Sequence, residues 1–565
     1  MQAFYKVRDF NDIRELMDMS ARLFADRTAF EIKRQDGTHL NITYRDYRRD
    51  IDALGTALTS MGLRDARIAI CADNCYEYCL TYITTICGIG VIVPVDKELS
   101  AADVNGILNT VEADLLLCDE KQLNRLDFSG APQGMKVACV RMKEDREDVI
   151  RFESLLEKGR ELLEQGNTDY LSIPLDPEKM CTLLFTSGTT GLSKGVMLCQ
   201  RNFVFEVKAA MGVIKIYPED CGISLLPLHH TFESSIILFF APYCGAKLTF
   251  CEGFKYVLRN MKEFNPSIFV AVPLVLQTVH RRILKEINKK PHGETMFKVG
   301  KVLCKAGSKF GLDLKKVFFK EIQQTFGGNM RMIICGGAPI DPQILEDFDA
   351  FGIQIVFGYG LTECAPLAII NHDRLHLAES VGEPLPGTQA KIFNPDDDGV
   401  GEICVKGEMV MLGYYKNPEA TAAVMDEDGF FHTGDMGYID KKGHVYLTGR
   451  CKNVIVTSNG KNIYPEELEY QLSRDPVVSN CMVIGCENAK GETEVQAHIF
   501  PDMAEVKERL GKDLPSADEL ESLFKKVIED TNNRLAGFKR IRNFVLREED
   551  FVKTTTQKIK RHENV

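Results

Sequence analysis

Hydrophobic residues up to about residue 380 fall into short uninterrupted runs that alternate with amphipathic stretches. The runs "ARIAICA", "GVIVPVD" and "ADLLLCD" are separated by segments with helical spacing, and the rhythm returns at "SIFVAVP", "NMRMIICGG" and "IQIVFGYG". Continuous apolar strands separated by helices are typical of parallel sheets that are covered on both faces. The pattern therefore predicts an α/β fold of doubly wound layers.

The pattern of hydrophobic residues changes near Val381, where short predicted strands and glycine turns follow one another in "QAKIFNP", "GEICVKG" and "GHVYLTG". This pattern predicts a small β-barrel-like or antiparallel sheet. After "GRCKN", a strand, a turn and a helix begin a new unit of about 110 residues, which is an ordinary size for a domain. We predict a large N-terminal domain at 1–449 and a small mobile C-terminal α/β domain at 450–565, with the hinge at 450–453.

The composition is that of a globular protein, with 565 residues, 44% hydrophobic and 27% charged. The apolar stretches fall short of the roughly 20 residues that a membrane-spanning helix needs. The N-terminal segment lacks the zones of a signal peptide. Eighteen cysteines without the spacing of a disulfide framework are typical of reduced thiols, and we expect a cytoplasmic location.

A formal net charge of −12 argues against nucleic-acid binding by the whole chain. The charge is unevenly distributed, because the basic region 281–320 holds twelve lysines or arginines and three acidic residues. A basic segment with interleaved apolar residues could make a peripheral contact with an anionic membrane surface, or it could be a solvated helical face or an anion-binding rim. The sequence leaves these interpretations open.

The segment "LLFTSGTTGLSKGVML" joins a predicted strand to a predicted helix, the place where α/β sheets bind phosphates. Its glycines allow close backbone approach, its hydroxyls donate hydrogen bonds, and Lys194 supplies positive charge. It is not a P-loop, because Lys194 follows Ser193 and precedes Gly195. By itself the segment predicts either a phosphate loop or a simple turn.

Two further turns carry polar groups that suit a nucleotide. In "GYGLTE", Tyr359 could stack on a purine, Thr362 could bond a phosphate or carboxylate oxygen, and Glu363 could bind Mg²⁺. In "HTGD", Asp435 could accept hydrogen bonds from ribose hydroxyls, or it could cap its own turn. These residue types together suit a nucleotide.

The motifs "TSGTTGLSKG", "GYGLTE", "GYYKNPEAT", "HTGD", "GRCKN", "NGKNIYPEELE" and "KTTTQKIKR" follow one another in an order that resembles the adenylate-forming superfamily. That superfamily includes acyl-CoA synthetases, nonribosomal adenylation domains and firefly luciferase. The resemblance extends from about Phe24 to the end of the chain. Within the superfamily, "LPLHHTFE", "SNGKNIYPEELE" and the basic region look most like the long-chain fatty-acid CoA ligases.

The resemblance implies roles for residues at matching positions. The implied nucleotide contacts are Thr186, Ser187, Gly188, Thr189, Thr190 and Lys194 at the phosphates, Gly337, Ala338 and Tyr359 at the adenine, and Asp435 and Arg450 at the ribose. The implied catalytic residues are Thr362, Glu363 and Lys558, with Glu363 holding Mg²⁺ and Lys558 reaching in from the small domain. The other implied positions are His230 at the acyl substrate, Lys452 at the hinge, and Gly460 and Lys461 at the coenzyme A (CoA) face.

The implied activity is that of an AMP-forming acid–thiol ligase that uses ATP, Mg²⁺ and CoA to activate a medium- or long-chain fatty acid. An aryl or bile-acid CoA ligase and a fatty acyl-AMP ligase remain alternatives on the same fold. A catalytically silent ATP- or acyl-binding protein, and an ADP-forming kinase or ATPase, are alternatives from other classes. Taken alone, Lys558 belongs to a basic tail that could be solvated, and His230 could be structural.

Overall fold

The computed structural model describes residues 1–142, 146–186, 194–310, 312, 314–337, 340–375, 377, 379–457, 461–488, 492–554 and 558–564. It is a mixed α/β structure with a large N-terminal unit and a small C-terminal unit. The expected alternation of strands and crossover helices is confirmed.

One sheet of the large unit has nine strands. In spatial order they are Glu383–Pro384, Leu367–Asn371, Gln354–Gly360, Met332–Gly336, Ile268–Ala271, Cys221–Ser224, Lys247–Phe250, Thr28–Lys33 and His39–Thr43. The six strands from Gln354–Gly360 to Thr28–Lys33 are parallel neighbours, and the edges are antiparallel. Parallel order places the carboxyl ends of these strands, including the end of Gln354–Gly360, at one edge of the sheet.

The second sheet has eight strands, and the "TSGTTGLSKG" segment joins two of them. In spatial order they are Gly413–Tyr414, Lys194–Cys199, Met180–Thr186, Gly90–Pro94, Ala66–Cys71, Leu115–Asp119, Lys136–Val140 and Val149–Arg151. Met180–Thr186 pairs antiparallel with Lys194–Cys199, so the segment connects a hairpin; the sequence had predicted that it leads from a strand directly into a helix. The helix Gln200–Met211 follows one strand later.

Helices cover the sheets and bury their apolar faces against them. Those of the large unit are Ile13–Leu23, Tyr44–Ser60, Tyr76–Thr84, Ala101–Val111, Glu120–Arg125, Phe152–Glu164, Gln200–Met211, Thr231–Ser235, Ala241–Cys244, Val257–Phe264, Pro273–Asn288, Gly293–Lys309, Lys315–Phe318, Lys320–Thr325, Pro342–Ala350 and Pro418–Ala422. Local chemistry fixes several ends; Thr43 and Asp46, for example, form a capping box at the start of Tyr44–Ser60.

The small sheet predicted after Val381 is open rather than barrel-like. Its four antiparallel strands are, in order, Gln389–Phe393, Gly401–Lys406, Phe431–Ile439 and Val445–Arg450. In the part of the chain that the structure describes, the two edge strands do not pair with each other, so four strands do not close a barrel. The sheet presents Asp435 and Arg450 from neighbouring strands.

The C-terminal unit has a hydrophobic core of its own, built around Leu468, Val483, Ile499 and Phe524. Its strands are Ile455–Val456, Asn462–Ile463, Val478–Glu487, Thr493–Pro501 and Asn543–Leu546, and its helices are Pro465–Ser473, Met503–Leu510 and Ala517–Asn532. The boundary at 449/450 and the hinge at 450–453 stay predictions.

Across the described ranges, no helix combines the length and the apolar character that crossing a bilayer requires. All eighteen cysteines are free thiols, and fifteen of them are buried.

Candidate active site

A cleft of about 2910 Å³ runs between the large unit and the C-terminal unit. Most of the residues that the sequence singled out line it. They are Thr186, Lys194, His230, Gly337, Tyr359, Thr362, Glu363, Asp435, Arg450, Lys452 and Lys558. These side chains come from both sheets, from the small antiparallel sheet and from the C-terminal tail, so folding assembles them from distant parts of the sequence.

Asp435 is an acidic group of the cleft that is held through both of its carboxylate oxygens. Its Oδ2 accepts a hydrogen bond of 2.7 Å from the Tyr359 hydroxyl, and its Oδ1 lies 2.9 Å from Nε of Arg450. Asp435 and Arg450 are cross-strand partners, which places the guanidinium beside the carboxylate. Burial raises the pKa of Asp435, and Arg450, Tyr359 and Lys558 oppose this rise.

Thr362 and Glu363 stand on a 3₁₀ turn, Thr362–Cys364, directly after the strand Gln354–Gly360. The chain reverses so tightly there that a Cβ atom on Gly360 would lie 1.7 Å from the carbonyl oxygen of Pro366. Only glycine fits such an approach of backbone to backbone. The "GYGLTE" turn therefore holds both polar side chains at the carboxyl edge of the sheet.

Glu363 is oriented by a tyrosine from another sheet. Its Oε1 accepts a 2.8 Å hydrogen bond from the Tyr414 hydroxyl, and Lys194 Nζ lies 4.6 Å from the centre of the Tyr414 ring. Thr186, at the end of the preceding strand, donates to the Lys194 carbonyl at 3.4 Å. A half-buried carboxylate fixed through one oxygen suits Mg²⁺, which takes one or two protein carboxylates together with substrate phosphates.

Lys558 extends from the C-terminal unit into the cleft, where it lies close to Gly337. A Cβ atom built on Gly337 would lie 4.0 Å from its Nζ, and Gly337 itself has a φ of +88°. The side chain is exposed and lines the open cleft. Desolvation lowers the pKa of Lys558, Arg450 lowers it further, and Asp435 opposes both effects.

Two histidines lie at the same wall of the cleft. The rings of His229 and His230 have centroids 4.2 Å apart, and His229 Nε2 lies 3.6 Å from Oδ2 of Asp96. Burial lowers the pKa of His230 to about 3, and the neighbouring His229 and Lys558 reinforce this. His230 is therefore a neutral imidazole at physiological pH, which fits substrate positioning rather than charge stabilisation.

Apolar side chains also line the cleft. They include Ile214, Ile236, Phe240, Ile334, Leu367 and Ile370. Glu233 lines the same cleft with no exposed surface, and burial raises its pKa to about 8. Its Oε1 accepts a hydrogen bond from the backbone of Leu225 at 3.0 Å.

Some expected site residues are not placed in the cleft. Ser187, Gly188, Thr189, Thr190, Ala338 and Gly460 lie outside the described residues. Lys461 lies directly before the strand Asn462–Ile463, is exposed, and is not among the cleft-lining residues. A CoA contact for Lys461 therefore stays a prediction.

Part of the basic region 281–320 forms ion pairs with acidic residues of the C-terminal unit. Lys285 Nζ lies 2.6 Å from Glu505 and 3.1 Å from Glu508, and Arg281 lies 3.6 Å from Asp502. These partners belong to the helix Met503–Leu510 of the C-terminal unit and its cap. The N-terminal end of the basic region therefore contacts the C-terminal unit.

Sequence reasoning missed Tyr414 and Glu233. Tyr414 stands in the quoted motif "GYYKNPEAT", and a tyrosine in a glycine-flanked motif was the available signal. Glu233 closes the quoted "LPLHHTFE", and an acidic residue directly before the apolar run "SSIILFF" could have marked it. Neither signal reveals the partner, which comes from a distant segment.

Comparison with known proteins agrees with this geometry. Residues 17–415 match the family described as "AMP-binding enzyme", and residues 452–565 match "AMP-binding enzyme C-terminal domain". Fatty acyl-CoA synthetase A of Dictyostelium discoideum is 28% identical over 91% of this chain and 82% of its own length. Long-chain-fatty-acid–CoA ligase 5 of Rattus norvegicus is 29% identical over 79% and 69%.

Among solved structures, the anthranilate CoA ligase AuaEII in complex with anthranoyl-AMP superposes with a TM-score of 0.77 at 19% identity, over 99% of this chain and 97% of its own. At that identity the likeness establishes the fold alone. The two matches together span most of the chain and include many of the residues that line the cleft, whereas Asp435 and Arg450 lie in the segment between them. The chain therefore belongs to the AMP-binding enzyme family.

Proposed function

We propose that this protein is an ATP-dependent acyl-CoA ligase that activates a fatty acid through an acyl-adenylate. One observation carries the proposal. A single cleft, which apolar side chains also line, brings together the Lys558 ammonium group, the Asp435–Arg450 pair and the Thr362–Glu363 turn. A nucleotide and an apolar carboxylic acid are the two ligands that this combination suits.

The first half-reaction joins the acid to the nucleotide. An oxygen of the fatty carboxylate attacks the α-phosphorus of ATP, the bond to the bridging oxygen breaks, and pyrophosphate leaves with the electron pair. Negative charge gathers where carboxylate and phosphate meet, and Lys558 and Thr362 stabilise it there. Asp435 and Arg450 hold the ribose, His230 positions the acid, and the Thr186–Lys194 segment binds the departing phosphates. Glu363 would hold Mg²⁺, which would supply positive charge to the phosphates.

The second half-reaction opens the anhydride. The CoA thiol, as its thiolate, attacks the acyl carbon, a C–S bond forms, and AMP leaves with the former carboxylate oxygen. The two half-reactions need different groups at one site, and a hinge at Lys452 would let the C-terminal unit withdraw Lys558 and bring Gly460 and Lys461 to CoA. The exposed position of Lys452 in the turn Cys451–Asn453 supports this role.

The apolar lining supports a fatty acid over a polar acid. The named relatives, which include a fatty acyl-CoA synthetase and a long-chain-fatty-acid–CoA ligase, support the same substrate class. An aryl or bile acid, or a carrier-protein acceptor, would use the same catalytic groups.

Fatty-acid-dependent exchange of labelled pyrophosphate into ATP is the decisive experiment. We expect exchange with fatty acids and, once CoA is added, release of AMP and formation of the thioester. No exchange with any carboxylic acid would overturn the proposal in favour of a silent binder. Exchange without CoA consumption would indicate an acyl-AMP ligase, and ADP formation would indicate a kinase or ATPase.

We also propose that the later part of the basic region contacts an anionic membrane surface. The helix Gly293–Lys309 and the segment after it expose Met296, Val302, Phe310 and Val317 by 69%, 67%, 82% and 72%. Lys298 and Lys305 are exposed beside them. Apolar side chains flanked by lysines suit the interface of an anionic bilayer.

Co-sedimentation with vesicles tests this contact. We expect the protein to bind phosphatidylserine vesicles more than phosphatidylcholine vesicles, and binding to weaken in Met296→Ser/Val302→Ser. Leu514→Ser is the matched control, because Leu514 is 90% exposed on the C-terminal unit. Equal binding by the double variant and the wild type would contradict the proposal.

A further inference from the structure

A cysteine, a histidine and a glutamate meet on the small antiparallel sheet, apart from the groups that hold the nucleotide. Cys404 and His432 are cross-strand partners on Gly401–Lys406 and Phe431–Ile439, and Glu402 lies two residues before Cys404 on the same face. One ligand atom from each lies within 4.8 Å of the other two. Side chains at positions i and i+2 share a face of a strand, so the grouping follows from the pleat.

We propose that Glu402, Cys404 and His432 form a binding site for a divalent transition-metal ion of the Zn²⁺ class, with water as the fourth ligand. Thiolate, imidazole and carboxylate are the three protein ligands that zinc takes, and three protein ligands plus an open position make a complete tetrahedral set.

The spacing of the donor atoms fits such an ion. Tetrahedral bonds of about 2.3 Å to sulfur and about 2.05 Å to nitrogen put the two ligand atoms about 3.6 Å apart. Cys404 Sγ and His432 Nδ1 are 3.5 Å apart. His432 Nδ1 and Glu402 Oε2 are 2.8 Å apart, a hydrogen-bond distance that a small rotation of the glutamate would open to the value of about 3.4 Å that a shared ion requires.

A carboxylate also lies near the outer ring nitrogen of His432. When Nδ1 binds the ion, the ring proton resides on Nε2, which faces Asp426 Oδ2 at 3.9 Å. Asp426 is itself fixed by Lys391 and by the backbone of Phe430, each at 2.7 Å. Lys391, a cation close to the proposed site, therefore forms an ion pair with Asp426.

The site is accessible and lies close to the nucleotide-binding carboxylate. Glu402 and His432 line the cleft, whereas Cys404 is buried behind them, so the ion would enter from the cleft. Binding displaces the Cys404 thiol proton to water. The second oxygen of Glu402 accepts a 2.9 Å hydrogen bond from the backbone N–H of Gly434, the residue before Asp435. Metal binding would thus fix the strand backbone next to Asp435.

Cobalt titration of the full-length protein tests the site, because Co²⁺ replaces Zn²⁺ and its bond to a thiolate gives a charge-transfer absorption. We expect the wild type to bind one equivalent with this absorption and Cys404→Ser to lose the absorption. Glu402→Gln keeps an oxygen for the Gly434 N–H, and His432→Asn removes the imidazole. Both variants are expected to bind at least about tenfold more weakly.

Cys486→Ser is the control for the number of thiols, because Cys486 is half-buried in the C-terminal unit. It is expected to keep the absorption. Circular dichroism confirms that each variant folds. An absorption that persists in Cys404→Ser, or a wild type that takes up no cobalt, would overturn the proposal and leave the three residues as a hydrogen-bonded support for Gly434.

Discussion

The phenolic oxygen of Tyr359 lies 2.7 Å from Oδ2 of Asp435, although the two residues are 76 positions apart. Arg450 binds the other carboxylate oxygen at 2.9 Å. Both oxygens therefore have fixed partners within the protein, and the carboxylate is oriented by the fold itself. Such preorganisation lowers the entropic cost of binding a ligand.

Tyr359→Phe is expected to weaken ATP binding about tenfold, because hydrogen bonds to charged groups contribute about 1.5–3 kcal/mol and the ring is retained. Calorimetric titration with ATP measures the effect. Tyr438→Phe is the matched control, since Tyr438 also lines the cleft and stacks on Tyr446 at 4.7 Å. Unchanged affinity in Tyr359→Phe would show that Arg450 alone orients Asp435.

Lys558→Met is expected to slow acyl-adenylate formation about a hundredfold, since removing one electrostatic donor from a transition state has an effect of that size. Thioester formation from supplied acyl-adenylate should be retained. The two half-reactions are measured separately. Lys560→Met is the control, because Lys560 pairs with Glu563 at 3.0 Å. Loss of the second half-reaction with the first intact would reverse the assignment.

Tyr414→Phe is expected to raise the Mg²⁺ concentration for half-maximal activity by about tenfold, because groups that orient a metal-binding carboxylate contribute this much. The removed hydrogen bond is the 2.8 Å contact to Glu363. Activity is measured against Mg²⁺ at saturating ATP. Tyr415→Phe, at the next position, should behave as the wild type. An identical Mg²⁺ profile in both variants would argue against Glu363 as the ligand.

Lys285→Gln is expected to slow adenylation up to about fivefold, because the lost ion pairs hold the C-terminal unit against the helix Pro273–Asn288. Partly exposed pairs contribute at most about 1 kcal/mol, and salt screens them. The difference should therefore shrink at high ionic strength. Lys289→Gln is the control, since Lys289 pairs with Glu286 of its own helix at 2.7 Å. Equal slowing in both variants would contradict this role.

Glu233→Gln is expected to stabilise the protein increasingly as pH rises from 4.5 toward 8, the window set by the ordinary and the raised pKa of this carboxyl. A raised pKa means that the folded protein keeps a proton that the unfolded chain has already lost, so its stability is highest below 4.5 and falls with rising pH until the buried carboxyl also ionises near 8. The full difference is on the order of 3–5 kcal/mol, at about 1.4 kcal/mol for each pKa unit.

The measurement for Glu233→Gln is the melting temperature as a function of pH, compared with the wild type. Glu427→Gln, which changes an exposed carboxylate, is the control and should follow the wild type. A constant difference across the pH window would mean that Glu233 does not titrate there.

The sequence predicted the α/β class, whereas several details of the sheets came only from the structure. Patterns of apolar runs indicated the α/β layers, because burial on both faces leaves a direct mark on composition. The hairpin at Thr186–Lys194 was missed, since a Gly/Ser/Thr segment fits either a strand–helix or a strand–strand connection. The open small sheet was also undecided, because closure depends on pairing between edge strands, which short-range patterns do not encode.

By itself, the sequence determined the α/β class, the order of the motifs and the presence of residue types that suit phosphate, ribose and acid. These are local properties of spacing and chemistry. The tertiary structure alone decided which groups pair: Tyr414 with Glu363, Tyr359 with Asp435, Lys285 with Glu505, and Cys404 with His432. Each of these contacts joins residues distant in the chain, and their distances are set by sheet register and domain packing rather than by any neighbouring residue.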